Sequence, residues 1–433
     1  MLHCTKCDSQ YSKWVGRCTT CGNWGTIGEE GGAGAGRPFS RSTVAPAPVL
    51  ALDAANFTAV THRPTGITEL DRVLSGGIVP GAVTLLAGEP GIGKSTLVAQ
   101  IAHAMTQQGG MNAAPTVAYY VSGEESEGQV LLRFTRLGIT PASIVFSNAV
   151  EIGAIISAAK TMTPSIVIVD SIQTMMVEDA DAYPGTPTAV RAATSELIAY
   201  AKTTNVPVLI IGQVTKEGTV AGPKTLEHLV DTLLTLEGDA ETAYRILRTS
   251  KNRFGATDEV GVFEMTEHGM IAVENPSARF LAERVPCPGS VVTCVMEGSR
   301  PFLVEIQALV DRSMFPNPVR RTSGYDASRL QMLLAIVSKR AGVKVNDHDV
   351  YVNVVGGLKV TEKAADLAVA AAIMSAMTNK AVPSDTVVIG ELGLGGEVRN
   401  VPFLDRRLKE ADRLGLSNAI TPKTIKSIEQ LLK

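Results

Sequence analysis

The stretch Gly88-Glu89-Pro90-Gly91-Ile92-Gly93-Lys94-Ser95-Thr96 constrains this 433-residue chain more than any other. Its G-x-x-x-x-G-K-[ST] spacing is that of a phosphate-binding loop. The flanking pattern is the one such a loop needs, with an apolar strand at 83–87 before it and a helix at 95–108 after it. The glycines let successive backbone N–H groups close around a phosphate, and the start of the helix adds favourable partial charge. Lys94 is placed to reach the β- and γ-phosphates of a nucleotide, and Ser95 to hold Mg²⁺ through its hydroxyl. The nine residues from Gly88 to Thr96 are therefore the candidate nucleotide ligands.

Downstream, short β-branched apolar runs alternate with helical stretches. Strands are expected at 116–121, 143–146, 166–169 and 207–211, and helices at 127–137, 152–160 and 188–203. This alternation predicts a mainly parallel sheet covered on both faces. Ligands on such sheets gather at the carboxyl ends of the strands, and the informative residues fall there. Asp170 ends an apolar strand, the Walker B layout that delivers a carboxylate to a metal. Glu124 and Glu125 follow another strand. One of them is the candidate to polarise an attacking water, with Glu125 slightly behind, and the other reads as a helix-start acid favoured by the dipole. Gln213, just past 208–212, is placed to sense a γ-phosphate or to be an ordinary end-of-strand amide.

Lys251 and Arg253, in Lys251-Asn252-Arg253-Phe254-Gly255, follow a strand at 244–249 and sit at alternate positions of an extended segment. That arrangement suits the γ-phosphate of a neighbouring subunit. The alternative is a solvated charge pair on a strand edge. Loops at 216–224 and 173–187 are candidates to touch a strand of nucleic acid, although composition alone makes them surface loops.

Ahead of this unit, Cys4-x-x-Cys7 and Cys18-x-x-Cys21 form two paired knuckles, the spacing of a four-cysteine zinc site. Each pair bends two thiolates towards one ion, and Gly16 and Gly22 permit the tight backbone. A segment of this size has no core of its own, so the metal would supply its folding energy. His3 is surplus to a closed tetrahedral site. Trp14 and Trp24, the only tryptophans, are expected to cover the ribbon rather than to stack on a base. A Gly-, Ala- and Pro-rich tether follows.

With 45% hydrophobic and 19% charged residues the chain is of ordinary globular composition. A net charge of −3 leaves any nucleic-acid binding to local patches. No apolar run reaches the length of a membrane span, and no signal-peptide layout opens the chain, so a cytoplasmic protein with no membrane partner is expected. The expected division is 1–28 ribbon, 29–60 linker, 61–272 nucleotide-binding domain and 273–433 α+β domain. In that last domain strands are expected at 291–295 and 302–306 and helices at 328–341 and 364–377. Cys287 and Cys294 read as core or edge thiols. Arg312, Arg320, Arg321, Lys339, Arg340 and Lys344, with Arg406, Arg407, Lys409 and Arg413, are candidates for a phosphate-facing patch. Glu410 and Asp412 interrupt the second group, so a solvated helix face serves at least as well.

Zinc ribbon, tether, T-G-I-x-x-L-D leader, G-E-P-G-I-G-K-S-T loop, K-N-R-F-G and α+β tail together resemble the bacterial RadA (Sms) family over essentially the whole chain. K-N-R-F-G at 251–255 is the most specific of these. The resemblance implies an α/β RecA-like P-loop ATPase core, close to KaiC and DnaB-type helicases, with an N-terminal zinc ribbon and a C-terminal α+β Lon-protease-like domain. It implies ATP, Mg²⁺ and Zn²⁺ as cofactors. It further implies a DNA-dependent ATPase of recombinational DNA repair, a homo-oligomeric (hexameric) ring promoting branch migration on single-stranded or branched DNA alongside a RecA-type recombinase. Lys94 and Ser95 would then hold nucleotide and Mg²⁺, while Lys251 and Arg253 act at the subunit boundary or in coupling hydrolysis to DNA. A KaiC-like signalling ATPase working through protein partners is the alternative. Where Lon has its serine this chain has Ala364, and where Lon has its lysine it has Asp405. Neither can do the chemistry of that dyad, so proteolysis is not expected.

Overall fold

The computed structural model describes residues 2–29, 61–107, 116–178, 182–213, 223–238, 243–356 and 358–432. The chain forms two compact units, Met1–Ala59 and Val60–Lys433. The first is an antiparallel ribbon of β1 (Leu2–Cys4), β2 (Gln10–Tyr11) and β3 (Ile27–Glu29), in the order β2-β1-β3. Its small interior is made by Cys4, Cys18 and Ile27, with Leu2 and Tyr11 packed against them. Sulfur and these few side chains fill that interior and leave no space for an indole. Trp14 and Trp24, expected to cover the ribbon, instead stand 67% and 74% exposed.

The second unit opens with α1 (Thr68–Val73). The leader before it is held by Asp71, whose carboxylate accepts the Thr65 N–H at 2.6 Å, the Thr65 hydroxyl at 2.7 Å and the Gly66 N–H at 2.9 Å. Then come β4 (Val83–Gly88), α2 (Lys94–Thr106), β5 (Ala118–Ser122), α3 (Glu127–Arg136), β6 (Ile144–Ser147), α4 (Ile152–Met162) and β7 (Ile166–Asp170). The alternation continues with α5 (Pro187–Thr204), β8 (Val208–Gln213), the short α6 (Pro223–Leu226) and β9 (Thr232–Glu237). Three antiparallel strands complete the sheet: β10 (Tyr244–Asn252), β11 (Val260–Thr266) and β12 (Gly269–Ala272). The nine strands lie in the order β12-β11-β10-β9-β4-β8-β7-β5-β6, with the six from β9 to β6 parallel.

Both faces of the parallel part are buried, and the period-2 alternation of a strand decides which residue faces which layer. Leu86, Ile166, Ile168, Leu209 and Ile211 pack with Leu97, Ile101 and Phe134 of α2 and α3. Val83, Leu85, Val167, Val169, Val208 and Ile210 pack with Ile155, Leu197 and Tyr200 of α4 and α5. The helices start where their sequences allow. Ser126 and Gln129 make a capping box at α3, and Thr186 caps α5 with Pro187 at its first position. Position 108, the expected end of the loop helix, lies outside the described residues, as do 216–222 and 179–181 from the two candidate nucleic-acid loops.

After α7 (Pro276–Leu281), a second sheet is built from β13 (Ser290–Glu297), β14 (Arg300–Arg312), β15 (Arg320–Ser323), β16 (His348–Val354), β17 (Thr386–Val388) and β20 (Asn418–Ile420). Between these run α8 (Ala327–Arg340), α9 (Asp366–Thr378), the small hairpin β18 (Glu391–Leu392) and β19 (Val398–Arg399), and α10 (Leu404–Arg413). The strand order is β15-β16-β14-β13-β17-β20. Val291, Val304 and Val352 meet α8 and α9 through Leu333, Val337, Val369 and Ile373. Val292, Cys294 and Leu303 meet α10 through Leu404 and Ala411 on the opposite face. Cys294 is thus a core thiol, and burial pushes its pKa up; Cys287 is exposed.

The spacing that turns Leu404 and Ala411 inward turns Arg407 inward too. It is 1% exposed, donates to the Cys294 carbonyl and forms a two-pronged pair with Glu362. Arg407 is therefore neither part of a basic patch nor of a solvated helix face. Among the described residues no helix is long and apolar enough to cross a membrane.

Candidate nucleotide site

The phosphate-loop segment leaves the most central buried strand. Gly88 at the end of β4 lies between Gln213 of β8 and Leu236 of β9. Gly93 caps α2 with φ of 111°, and a Cβ there would overlap the ends of Met265 and Met270 at 2.5 and 2.4 Å, so only glycine fits. Lys94 is 7% exposed, and its Nζ donates to the carbonyls of Gly88 at 3.0 Å and Glu89 at 2.9 Å. Arg245 of β10, 6% exposed, donates its Nε to the Ile92 carbonyl at 3.1 Å and so props the loop from beneath. Sequence reasoning missed Arg245; in a strand that also carries Arg248 and Lys251, nothing marks it out. Thr96 opens onto a cavity of about 640 Å³ lined also by Arg136, Leu137, Met265 and Gly269.

Register brings the acids together. Ser122 of β5 lies opposite Asp170 of β7, so the residues just beyond β5 gather beside that carboxylate. Asp170 is 6% exposed, accepts the Tyr120 hydroxyl at 2.9 Å and lies against the Ser95 hydroxyl. Burial pushes its pKa up, the hydroxyls of Tyr120 and Ser95 pull it down, and the charges of Glu125 and Glu124 push it up again. Burial pushes Lys94 down, opposed by the negative charges of Asp170 and Glu124. A buried carboxylate with a hydroxyl against it is a hard oxygen donor set, which fits Mg²⁺.

The two glutamates part ways. Glu124 accepts hydrogen bonds from the Ser171 hydroxyl and from Gln213 Nε2 at 3.3 and 3.4 Å, on the side of Lys94. Glu125 turns away into a two-pronged pair with Arg133 of α3. Tyr120, Ser171 and Arg133 were not read from the sequence, and nothing in their spacing marks them.

Lys251 and Arg253 are not at this end of the sheet. Asn252 pairs with Thr232 and Lys251 with Leu233, and Thr232 and Leu233 in turn lie beside Thr84 and Leu85 at the start of β4. Gly88 is four residues further along, roughly 13 Å at strand rise. A register shift between Thr249 and Lys251 breaks strict alternation, yet both cations turn to one segment. Lys251 Nζ donates to the carbonyls of Glu227 at 2.6 Å and His228 at 3.3 Å, and Arg253 Nη1 pairs with Asp231 at 3.1 Å. Burial, and then the charge of Arg253, push the Lys251 amine down. Asp231 also holds Lys202 at 2.8 Å and the Val83 N–H at 3.0 Å, which fixes the segment to the amino edge of the sheet.

In the ribbon, Cys4, Cys7, Cys18 and Cys21 bring their sulfurs within 4.8 Å of one another. Two separations, Cys4–Cys21 at 3.7 Å and Cys7–Cys18 at 3.5 Å, are close to the tetrahedral edge of about 3.8 Å that a Zn–S bond of about 2.3 Å requires. The Cys21 N–H and then the Tyr11 hydroxyl pull the Cys18 thiol down, while the neighbouring Cys18 and Cys21 push the Cys7 thiol up. The donor set fits zinc. In the tail, Ala364 is buried and Asp405 is exposed, paired with Lys423 at 2.9 Å.

With this geometry in hand, the chain was compared with known proteins. The AAA domain family matches residues 46–219, and the family of subunit ChlI of Mg-chelatase matches 327–425. The DNA repair protein RadA of Aquifex aeolicus is 44% identical, covering 98% of this chain and 93% of its own. The DNA repair protein RadA of Pseudomonas aeruginosa is 45% identical, covering 98% and 92%. Among solved structures, the RadB recombinase matches 48% of this chain and 99% of its own at 23% identity, with a TM-score of 0.38. The fold class expected from the sequence stands: a RecA-like P-loop core with a zinc-ribbon-type N-terminus and a Lon-protease-like α+β tail. Loop, carboxylates, four-cysteine ribbon and tail occur here in one order along a sequence alike from end to end to these relatives, and the chain belongs to the family of the DNA repair protein RadA.

Proposed function

We propose that this protein is a DNA-dependent ATPase of recombinational repair, a ring-forming motor that promotes branch migration on single-stranded or branched DNA alongside a RecA-type recombinase. The names of its relatives support the repair role. Residues 88–96 would cradle the phosphates of ATP, with the nucleoside in the cavity beside Thr96. Ser95 and Asp170 would hold Mg²⁺, which when bound neutralises charge on the phosphates. Glu124 would orient the attacking water, with Gln213 beside it as the γ-phosphate sensor. Lys251 and Arg253 would reach the phosphates of the adjoining subunit. The four cysteines would hold zinc, and the tail, with Ala364 and Asp405 at the dyad positions, would serve as a non-proteolytic platform. The division into 1–28, 29–60, 61–272 and 273–433 belongs to the same reading.

One observation carries the proposal: the phosphate loop and the Lys251–Arg253 cations lie towards opposite ends of the strands of one sheet. This separation supports the reading in which the Lys251–Arg253 cations serve the loop of an adjoining subunit rather than their own. The test is ATP turnover by the full-length protein with and without oligo(dT), for the wild type and Lys94→Ala. The expected result is turnover stimulated by DNA and abolished in the variant. Turnover that ignores DNA would point to a KaiC-like switch, and undiminished turnover in Lys94→Ala would sink the nucleotide assignment.

A further inference from the structure

Trp14 and Trp24 are the chain's only tryptophans, and neither ring joins the ribbon's buried interior. They flank Gly16. A Cβ at that position would lie 3.8 Å from the Trp14 ring and 3.7 Å from the Trp24 ring, so a side chain there would enter the space between them. Among the described residues the ring pairs are Tyr120 with Phe134 and Tyr244 with Phe280, so the two indoles do not close on each other. Arg17 is bridged across to Trp24, with its guanidinium 5.8 Å from the ring centroid, and its Nε donates to the Gly22 carbonyl at 2.9 Å. Cation and ring are thereby held as one unit. Lys13, exposed, adds a second positive charge next to Trp14. Asp8, an acidic residue of the ribbon, belongs to the other knuckle.

We propose that Trp14, Gly16 and Trp24, with Lys13 and Arg17, form a base-stacking platform for single-stranded nucleic acid. Indole faces accept any base, and flanking cations neutralise the phosphates on either side. A protein partner fits less well. Two indoles offer roughly 150–250 Å² each, short of the ~800 Å² per side of a stable protein interface. The surround is cationic rather than aliphatic, with Val15 its one branched apolar residue. The inference rests on the DNA-dependent reading for the identity of the strand, while its evidence lies wholly in the ribbon.

Because both tryptophans lie in the ribbon, intrinsic emission of the full-length, zinc-loaded protein reports on this surface alone. Titration with unlabelled oligo(dT), without nucleotide, should quench that emission with the midpoint seen by anisotropy of a labelled oligo(dT). Trp14→Ala and Trp24→Ala should each weaken binding about tenfold, and the Phe variants should bind within about twofold of wild type. Zinc content and DNA-free ATP turnover should be unchanged throughout. Binding by anisotropy with unmoved tryptophan emission would overturn the platform and leave the DNA-dependent reading intact. Emission already blue-shifted in the free protein and indifferent to oligo(dT) would overturn it in favour of indoles packed against protein. Loss of all oligo(dT) binding in the wild type would instead count against the DNA-dependent reading itself.

Discussion

Glu124 and Glu125 are adjacent, carry the same chemistry, and differ only in what surrounds them. Glu125 is spoken for by Arg133, whereas Glu124 is held only by neutral donors, an amide and a hydroxyl, and its charge acts on Lys94. Glu124→Gln should lower turnover by about 10²-fold or more, the scale of losing a positioned base. Glu125→Gln should keep turnover within about tenfold and lower the melting temperature, because Arg133 loses its partner. Steady-state ATPase and thermal melts distinguish the two, and equal losses of turnover would contradict the assignment. The sequence carried both residues to the right strand end, since a strand–turn–helix pattern is local. It could not choose between them because the deciding residue sits on α3, eight positions from Glu125, and only the fold sets its direction. Arg245 was illegible for the same reason, because the carbonyl it props is on a loop 153 positions away.

Elements were legible where their pattern is local and hidden where a partner is distant. The strands leading to Gly88, Asp170 and Gln213 follow from apolar runs between helices, each burying both faces. The strand at Thr232–Glu237 and the pair at Val260–Thr266 and Gly269–Ala272 were not read. The strand at Thr232–Glu237 takes a neighbour from far along the chain, Thr84–Gly88, whereas Val260–Thr266 and Gly269–Ala272 form a local hairpin whose weak alternation hid it. The β13–β14 turn shows what such distant contacts do. Arg300 reaches back to Glu69 of α1, a carboxylate with 0% exposure that also takes the Val262 N–H at 2.8 Å. Beside it, Glu297 pairs with Arg248 of β10. Arg300→Ala would leave buried Glu69 with only the longer contact to half-exposed Arg72 at 3.5 Å and should cost about 3 kcal/mol of stability in denaturant unfolding. Adding Glu69→Gln should recover part of the loss. A loss under about 1 kcal/mol would show that water reaches Glu69 after all.

For the whole molecule the proposed shared site has a consequence that mixing can test. Lys94→Ala subunits keep their Lys251–Arg253 cations, and Arg253→Ala subunits keep their loops. Each alone should be inactive. Mixed in equal amounts, they should restore about a quarter of the sites if subunits combine at random. No recovery at any ratio would place Arg253 elsewhere in the cycle. That the loop and the Lys251–Arg253 pair lie towards opposite ends of the strands has a further meaning for how chains count. In the proposed shared site each subunit would offer one half-site forwards and one backwards, so contacts of this kind would run head to tail. A two-fold pair joined through one matching patch completes neither site. An open row always leaves one loop at its end unserved, and each row that closes on itself gains a working site without any new kind of contact. Closure would then be favoured by the ligand as much as by the protein, with ATP acting as mortar between subunits.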